Sequence, residues 1–563
     1  MTTTVTMDRR GWARRARKLA VGWWSVAAFV VAALVSVPVL VVASSIFVDA
    51  GEIWSHLAAT VLANYVSNSL WLLVGVGCGT LVIGVGTAWL VTMYRFPGHR
   101  VFEWALLLPF AVPAYVIAYT YTGLFEFAGP VQTALRELFG WSRQDYWFPE
   151  LRSLGGAVTM MTLVLYPYVY LLSRAAFLEQ SVCVLEVSRT LGRGPLHSFR
   201  TVALPLARPA IATGLTFALI ETLNDFGTVQ YFAVDTFTTG IYRTWLGLGE
   251  PAAAAQLAAI LMLFVLAVVV LERLSRGSGR VHHTSTRYRA LPGIRLGGLA
   301  GTVAFVACFS PVAFGFLLPG AALFVWSVET AGEMVNADFF RYAANSFTLA
   351  ALTAVLAVVI GLFLAYGLRL QGGRMMKISA RVASMGYAIP GSVIAVGVLL
   401  VYTRFDNAID GWMRANMGFS TGLILTGTVA GVVFAYLVRF LAVSFNTTEA
   451  SLSKITPNID AAARTLGVGP AATMRRVHAP LMWSSLLTAG ILVFVDVMKE
   501  LPATIILRPF NFDTLAIRTY QLASDERLAD ASSAALAIVL VGIVPVIVLS
   551  VAIARSRAGY SED

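Results

Sequence analysis

The chain has 563 residues, of which 58% belong to the hydrophobic set AVILMFWYC and 13% are charged. Soluble domains carry about 25% charged residues, so this composition excludes a soluble multidomain protein and indicates an all-α polytopic membrane protein. The net charge of +11 is explained by basic residues at the ends of membrane helices, and we predict no role in nucleic-acid binding. The cysteines lie far apart, so we predict no metal site.

Twelve apolar stretches follow one another along the chain, each long enough for a spanning helix of about 20 residues. Basic residues precede the first stretch, which is longer than the apolar part of a signal peptide, so we predict a retained helix with a cytoplasmic N-terminus. The C-terminus then also lies in the cytoplasm. The predicted stretches are 20–48, 67–94, 101–124, 154–178, 203–222, 251–272, 297–327, 345–368, 380–403, 420–445, 482–498 and 531–553.

An internal repeat divides these stretches into two sets of six. Asn68 and Ser69 recur 277 residues later as Asn345 and Ser346, and a second group of motifs recurs at a spacing of 275. An even number of spans in each half orients the two halves in the same direction through the membrane. We predict a first permease half at 1–273, a cytoplasmic linker at 274–292 and a second permease half at 293–563.

The clearest repeated motif lies in the loops that precede the fifth and eleventh stretches. It reads RTLGRGP at 189–195 and RTLGVGP at 464–470. Each loop predicts a short helix, a break at Gly-x-Gly-Pro and a second short amphipathic helix. Gly192 and Gly467 suit the left-handed conformation that ends a helix, and the following prolines suit the first turn of the next helix.

This repeated loop resembles the EAA motif of binding-protein-dependent ABC importers, whose membrane subunits present such a helix pair to cytoplasmic ATPases. One departure is visible: Glu186 aligns with Ala461, and the acidic residue of the second loop, Asp460, stands one position earlier. The resemblance implies that the coupling residues are Glu186, Arg189, Gly192, Gly194, Pro195, Asp460, Arg464, Gly467, Gly469 and Pro470.

Charged residues cluster at the ends of the fifth and eleventh stretches, where burial in a bilayer requires a cavity or a partner. One interpretation places them along a translocation path or gate. The other is structural, with Lys499 paired to Glu500 or Asp496 and the arginines paired to nearby acids. Both remain open for Glu221, Asp225, Asp496, Lys499, Glu500, Arg243 and Arg518.

The segments 221–250 and 495–527 resemble the fused permeases of ferric iron ABC importers. This resemblance implies a type I ABC importer permease fold of about twelve transmembrane helices in two parallel six-helix repeats. It implies a bacterial plasma (inner) membrane location, two copies of an ABC ATPase and an extracytoplasmic substrate-binding protein. The chain would then be no enzyme and bind no cofactor, with ATP and Mg on the ATPase. None of its four lysines follows a glycine, which excludes the Gly-Lys of a phosphate-binding loop.

Two alternatives remain at the level of the sequence. The same mechanism can carry thiamine, a polyamine or an oxyanion, because no local residue excludes these cargoes. Two parallel six-span halves also describe ion-driven secondary transporters. A duplicated coupling loop has no use in such a carrier, so the sequence favours the ATP-driven importer.

Overall fold

The structure is a computed structural model, which describes residues 22–48, 51–179, 195–276 and 294–555. Within these ranges, ten helices are long and apolar enough to cross a membrane, and two bent helix pairs raise the number to twelve if each pair is one span. The predicted all-α multi-pass fold is confirmed. In chain order the spans are Trp23–Phe47, Leu62–Met93, His99–Ala111 with Ala114–Phe139, Leu154–Leu178, Phe199–Asn224, Pro251–Ser275, Gly298–Met334, Ala337–Gln371, Gly391–Met417, Val429–Ser453, Pro470–Leu481 with Trp483–Met498, and Leu528–Val548.

The third span is broken within 101–124, which the sequence predicts as one apolar stretch, and the eleventh is broken at the beginning of its predicted stretch 482–498. The third bends by 90° before Ala114 and the eleventh by 80° before Trp483. Pro113 explains the first bend, because its extended conformation interrupts the helix and its ring cannot donate a backbone hydrogen bond. Pro480 lies just before the second bend, in the short helix Ala479–Leu481. Apolar composition therefore located these spans but not their direction.

Shorter elements connect the spans. A parallel bridge of two residues pairs Tyr94–Arg95 with Ile294–Arg295. The short helices outside the straight spans include Gly51–Thr60, Pro130–Phe139, Pro195–Ser198, Gly227–Tyr231, Phe237–Tyr242, Arg243–Gly247, Arg374–Ala383, Gly386–Ala388, Pro457–Thr465, Pro502–Leu507 and Leu515–Ser524.

The chain divides into two compact units. The first contains the described residues up to Ser44 together with Phe347–Val497 and Leu507–Phe510. In it the first span packs on helices of the second sequence half: Trp24 stacks on Phe363 with ring centroids 4.7 Å apart. The Ser25 hydroxyl donates to Gln371 at 2.7 Å.

The second unit contains Ser45–Ser346, Met498–Ile506 and the chain from Asn511. Here the seventh span packs on the third, where the Tyr121 hydroxyl donates to the Phe314 carbonyl at 2.7 Å. The first span of each sequence half therefore packs on helices of the other half. The predicted division at 1–273 and 293–563 describes the sequence repeat, whereas the compact units are different sets of residues.

Candidate coupling loop and gate

The second coupling loop, between the tenth span and the helix Trp483–Met498, folds into two short helices joined by a tight turn. The first helix, Pro457–Thr465, is followed by Gly467 with φ of +73°. The Gly467 amide donates to the Arg464 carbonyl at 3.1 Å, and the Val468 amide donates to the Ala463 carbonyl at 2.9 Å. These two bonds form a Schellman motif, which requires a left-handed residue at this position. The conformation predicted for Gly467 is confirmed.

The second helix of the loop begins as the sequence predicts. Gly469 caps it in an extended conformation, and Pro470 occupies its first turn. The hydroxyl of Tyr366, on the eighth span, donates to the Pro470 carbonyl at 3.0 Å. The turn that the sequence marks for coupling is therefore fastened to a membrane helix of its own unit.

Asp460 lies at the centre of a polar cluster under this loop. Its Oδ2 atom accepts from the Arg369 guanidinium, with Nε at 2.7 Å and the second nitrogen at 2.6 Å. Its Oδ1 atom lies 2.7 Å from Nε2 of His478, whose side chain is fully buried. The same guanidinium donates to the carbonyls of Leu452, Ile455 and Thr456.

This cluster keeps Asp460 ionised. Burial by itself would raise the pKa of Asp460, but the hydrogen bonds from His478 and Arg369, together with the Arg369 charge, hold it below its usual value. An ionised carboxylate accepts hydrogen bonds, so His478 donates from Nε2 and its Nδ1 atom is left buried, with no hydrogen-bond partner among the described residues. Arg464 is exposed and donates to the Asp460 backbone carbonyl at 3.1 Å.

Two acidic residues of the predicted gate cap short helices. Asp225 Oδ1 accepts from the Thr228 amide at 2.9 Å, and Glu500 Oε1 accepts from the Ala503 amide at 3.1 Å. Asp225 and Glu500 occupy equivalent positions in the repeat. The bonds satisfy amides at the beginnings of the helices Gly227–Tyr231 and Pro502–Leu507, which otherwise lack partners.

The residues after these caps pack against one another. Gly227 is so close to its neighbours that a Cβ atom there would lie 2.6 Å from the Tyr115 Cβ atom and 3.0 Å from Leu501 Cδ2. Tyr242 stacks on Phe226 with ring centroids 3.8 Å apart, and its hydroxyl donates to the Pro502 carbonyl. Within the second unit, the segments that follow the fifth and eleventh spans thus form a closed, buried contact.

An asparagine holds each of these segments in place. Asn68 Nδ2 donates to the Asp235 carbonyl at 2.9 Å, and Asn345 Nδ2 donates to the Asp513 carbonyl at 2.9 Å. In both cases the carbonyl belongs to the residue immediately before the N-cap of the next short helix. The repeated asparagines therefore make the same bond in both halves.

Both halves of the chain match one known family of membrane transport components. The family described as "Binding-protein-dependent transport system inner membrane component" matches the chain twice, at residues 79–276 and 357–558. The chain belongs to this family. Each match contains one of the two loops and one of the two gate segments, so the chain is a fused permease with two family domains.

Individual relatives of the permease carry named cargoes. The Fe(3+)-transport system permease protein FbpB 2 of Haemophilus influenzae is 29% identical over 496 residues, which cover 87% of this chain and 90% of the relative. The putative ferric transport system permease protein FbpB 1 of the same organism is 24% identical, covering 86% of this chain and 77% of the relative. The sulfate transport system permease protein CysT of Salmonella typhimurium is 30% identical over 152 residues, 27% of this chain and 52% of the relative.

The remaining charged residues predicted at the gate of the permease have different surroundings. Arg243 forms an ion pair with Asp235 at 2.9 Å, as the structural interpretation predicts. Lys499 Nζ lies 4.4 Å from the centroid of the Phe110 ring, and the Arg518 guanidinium lies over a tyrosine ring at 5.9 Å. Glu221 and Asp496 are half-buried on their spans. Their place along a translocation path stays a prediction.

The first coupling loop of the permease lies largely outside the described residues. Those ranges do not include Glu186, Arg189, Gly192 and Gly194, and Pro195 begins the short helix Pro195–Ser198. The coupling roles predicted for these residues stay predictions. In the part of the chain that is described, no three His, Cys, Asp or Glu side chains form a group that could hold a metal ion.

Sequence reasoning missed the residues that hold the second loop. Tyr366, Arg369 and His478 belong to no recognisable sequence motif. Their signal is a difference within the repeat, because the first half has Thr92 and Ala203 where the second half has Arg369 and His478.

Proposed function

We propose that this permease is the membrane subunit of an ATP-driven importer for ferric iron. One observation supports the cargo above others. Similarity to the Fe(3+)-transport relative extends over 87% of this chain and 90% of the relative, whereas similarity to the sulfate relative covers 27% of this chain. The fused two-domain architecture is thus matched along nearly its whole length by a relative that is named for iron.

The proposed partners are two copies of an ABC ATPase, one for each coupling loop, and an extracytoplasmic binding protein that delivers iron. ATP and Mg would bind the ATPase, and both termini of the permease would lie in the cytoplasm. Closure of the ATPases would move the coupling loops, and the loop continuous with the eleventh span would transmit that motion to the segment Pro502–Leu507. The contacts of Leu501 with Gly227 and of Pro502 with Tyr242 would then separate.

The chemistry of the gate is compatible with iron that passes through without being held. Ferric iron is a hard cation that prefers oxygen ligands. Asp225 and Glu500 offer carboxylates, but their helix-capping bonds to backbone amides weaken them as ligands. Selectivity would therefore lie mainly with the binding protein.

Uptake of radiolabelled ferric iron tests this proposal in cells that lack the chain, with and without its restored expression. We expect uptake only when the chain is present and ATP is not depleted. The variant Gly192→Asp with Gly467→Asp should abolish uptake and ATPase association while membrane insertion continues. A matched variant, Gly418→Asp, changes an exposed glycine outside both loops that also has a positive φ, of +75°, and open space around it, and should retain uptake.

Two results would contradict parts of the proposal. Unchanged iron uptake, with the chain still copurifying with an ATPase, would keep the importer and reject the cargo. The sulfate relative then makes an oxyanion the next cargo to assay, followed by thiamine and polyamines. Transport retained in the double glycine variant would reject ATPase coupling and favour an ion-driven carrier.

A further inference from the structure

The two coupling loops differ in how their acidic residue is placed. We propose that Asp460 is a positioning residue, which locks the second coupling loop to the eighth span through Arg369 and His478 and does not itself bind the ATPase. This inference rests on the proposed function, because it assumes that an ATPase docks on this loop. It assigns the two acidic positions of the repeated motif to different tasks.

The Asp460 carboxylate already has hydrogen-bond partners within its own unit. Both of its oxygens already accept hydrogen bonds from within the same unit, Oδ2 from Arg369 and Oδ1 from His478. Its side chain and that of Arg369 are each 16% exposed. A residue that docks a partner through its charge needs that charge at the surface, whereas this carboxylate points inward.

Asp460, His478 and Arg369 belong to different helical elements, which their contacts connect. Asp460 belongs to the helix before the turn at Gly467, and His478 belongs to the helical segment after it, so their bond closes the loop on itself. Arg369 lies near the end of the eighth span and also binds three carbonyls at, or just after, the end of the tenth. A displacement of the turn must therefore move the eighth, tenth and eleventh spans together.

The first half cannot build the same cluster. At the equivalent positions it has Thr92, Leu185 and Ala203 in place of Arg369, Asp460 and His478. None of these three side chains carries a charge. Its acid, Glu186, stands one residue later in the sequence, at the repeat position of Ala461. Glu186 keeps the docking role that the motif resemblance implies.

The test is a double-mutant cycle in the assembled importer, reconstituted with its ATPase and its binding protein. The variants are Asp460→Ala, Arg369→Ala and the double variant, with Glu449→Ala as an exposed acidic control near the end of the tenth span. Two quantities are measured for each: the affinity of the permease for the ATPase, and the cargo transported per ATP hydrolysed.

For each single variant we expect cargo per ATP to fall by about tenfold while ATPase affinity changes by less than about threefold. The double variant should resemble the single variants, because residues that act through one contact are not additive. His478→Gln, whose amide can still donate to Asp460, should restore most of the coupling that His478→Leu removes. Asp460→Asn, which keeps the shape of the side chain, serves if Asp460→Ala does not insert.

Other results overturn the inference. Additive losses in the double variant, or weaker ATPase affinity with unchanged cargo per ATP, would make Asp460 a docking residue. Variants that behave like the wild-type importer would show that the cluster is dispensable. Failure of the wild-type protein to transport with its ATPase would instead reject the proposed function, so the two failures are distinguishable.

Discussion

Equivalent regions in the two halves of the permease are held by different kinds of side-chain contact. In the second half, Arg369, Asp460 and His478 form a buried ionic cluster beneath the coupling loop. At the equivalent place in the first half, Trp89 packs on Phe199 and Phe177, with ring centroids 4.8 and 5.4 Å apart. Trp89 is the repeat equivalent of Tyr366, so aromatic packing takes the position of a directional polar network.

The difference follows the shape of the adjacent spans. The fifth span is one helix over Phe199–Asn224, whereas the eleventh bends by 80°. A straight helix positions the element before it through its own hydrogen bonds. A bent helix does not, so the preceding segment needs bonds that fix direction. An ion pair with several hydrogen bonds supplies such direction, whereas aromatic contacts tolerate a range of angles.

Removing the charge of the ionic cluster should have the largest effect. Arg369→Leu removes a charged donor from the Asp460 carboxylate and from three carbonyls, and we expect the free energy of unfolding to fall by about 3 kcal/mol. Arg341→Leu on the same helix removes an exposed pair with Asp338 and should cost less than about 0.5 kcal/mol. Denaturant unfolding in mixed micelles measures both. Equal losses would mean that the cluster contributes no more than a surface pair.

The aromatic anchor of the first half should be weaker. Trp89→Ala removes contacts with two rings, and we expect a loss of about 2 kcal/mol in the same unfolding measurement. Trp71, on the same span, is 62% exposed. Its replacement by alanine should change stability by less than about 0.5 kcal/mol. A larger loss for Trp89→Ala than for Arg369→Leu would reverse the ranking of the two anchors.

The asparagine bonds test where the two halves are alike. Asn68→Ala and Asn345→Ala each leave one carbonyl without its donor, so each should lower the unfolding free energy by about 1 kcal/mol. Asn416→Ala, at an exposed bond to the Trp412 carbonyl, serves as the control and should have little effect. Strongly unequal losses for Asn68 and Asn345 would show that the same hydrogen bond contributes differently to stability in the two halves.

The last expected effect, similar in size to that of an asparagine bond, concerns the turn itself. Gly467→Ala places a side chain at φ of +73° and should destabilise the turn by roughly 1 kcal/mol. Gly469→Ala changes a residue with φ of −69° and open space, and should be neutral. Cleavage of the loop by a protease during limited digestion compares the two. Similar cleavage rates would show that the Schellman motif does not limit the opening of this loop.

The repeat shows where spacing in the sequence predicts structure and where it does not. The arginines Arg243 and Arg518 recur at 275 residues, which the sequence shows directly. The carbonyls bound by the asparagines belong to Asp235 and Asp513, whose spacing is three residues longer. The helix begins earlier relative to the arginine in the first half, where the N-cap Thr236 precedes Arg243, than in the second half, where the N-cap Thr514 precedes Arg518. Hydrogen-bond partners set that register, and no pattern of residue types displays it.

Local chemistry determined much of this protein by itself. Apolar length located the spans, and the Gly-x-Gly-Pro order specified the turn at Gly467, because both depend on residues close together in the chain. Tertiary structure decided the bends in the third and eleventh spans. It also decided that the first span of each half packs on helices of the other half and that the Asp460 carboxylate points inward. Those features depend on which helices meet, as when Arg369 reaches a carboxylate 91 residues away. The sequence contains both residues of such a pair, but no local pattern identifies them as partners.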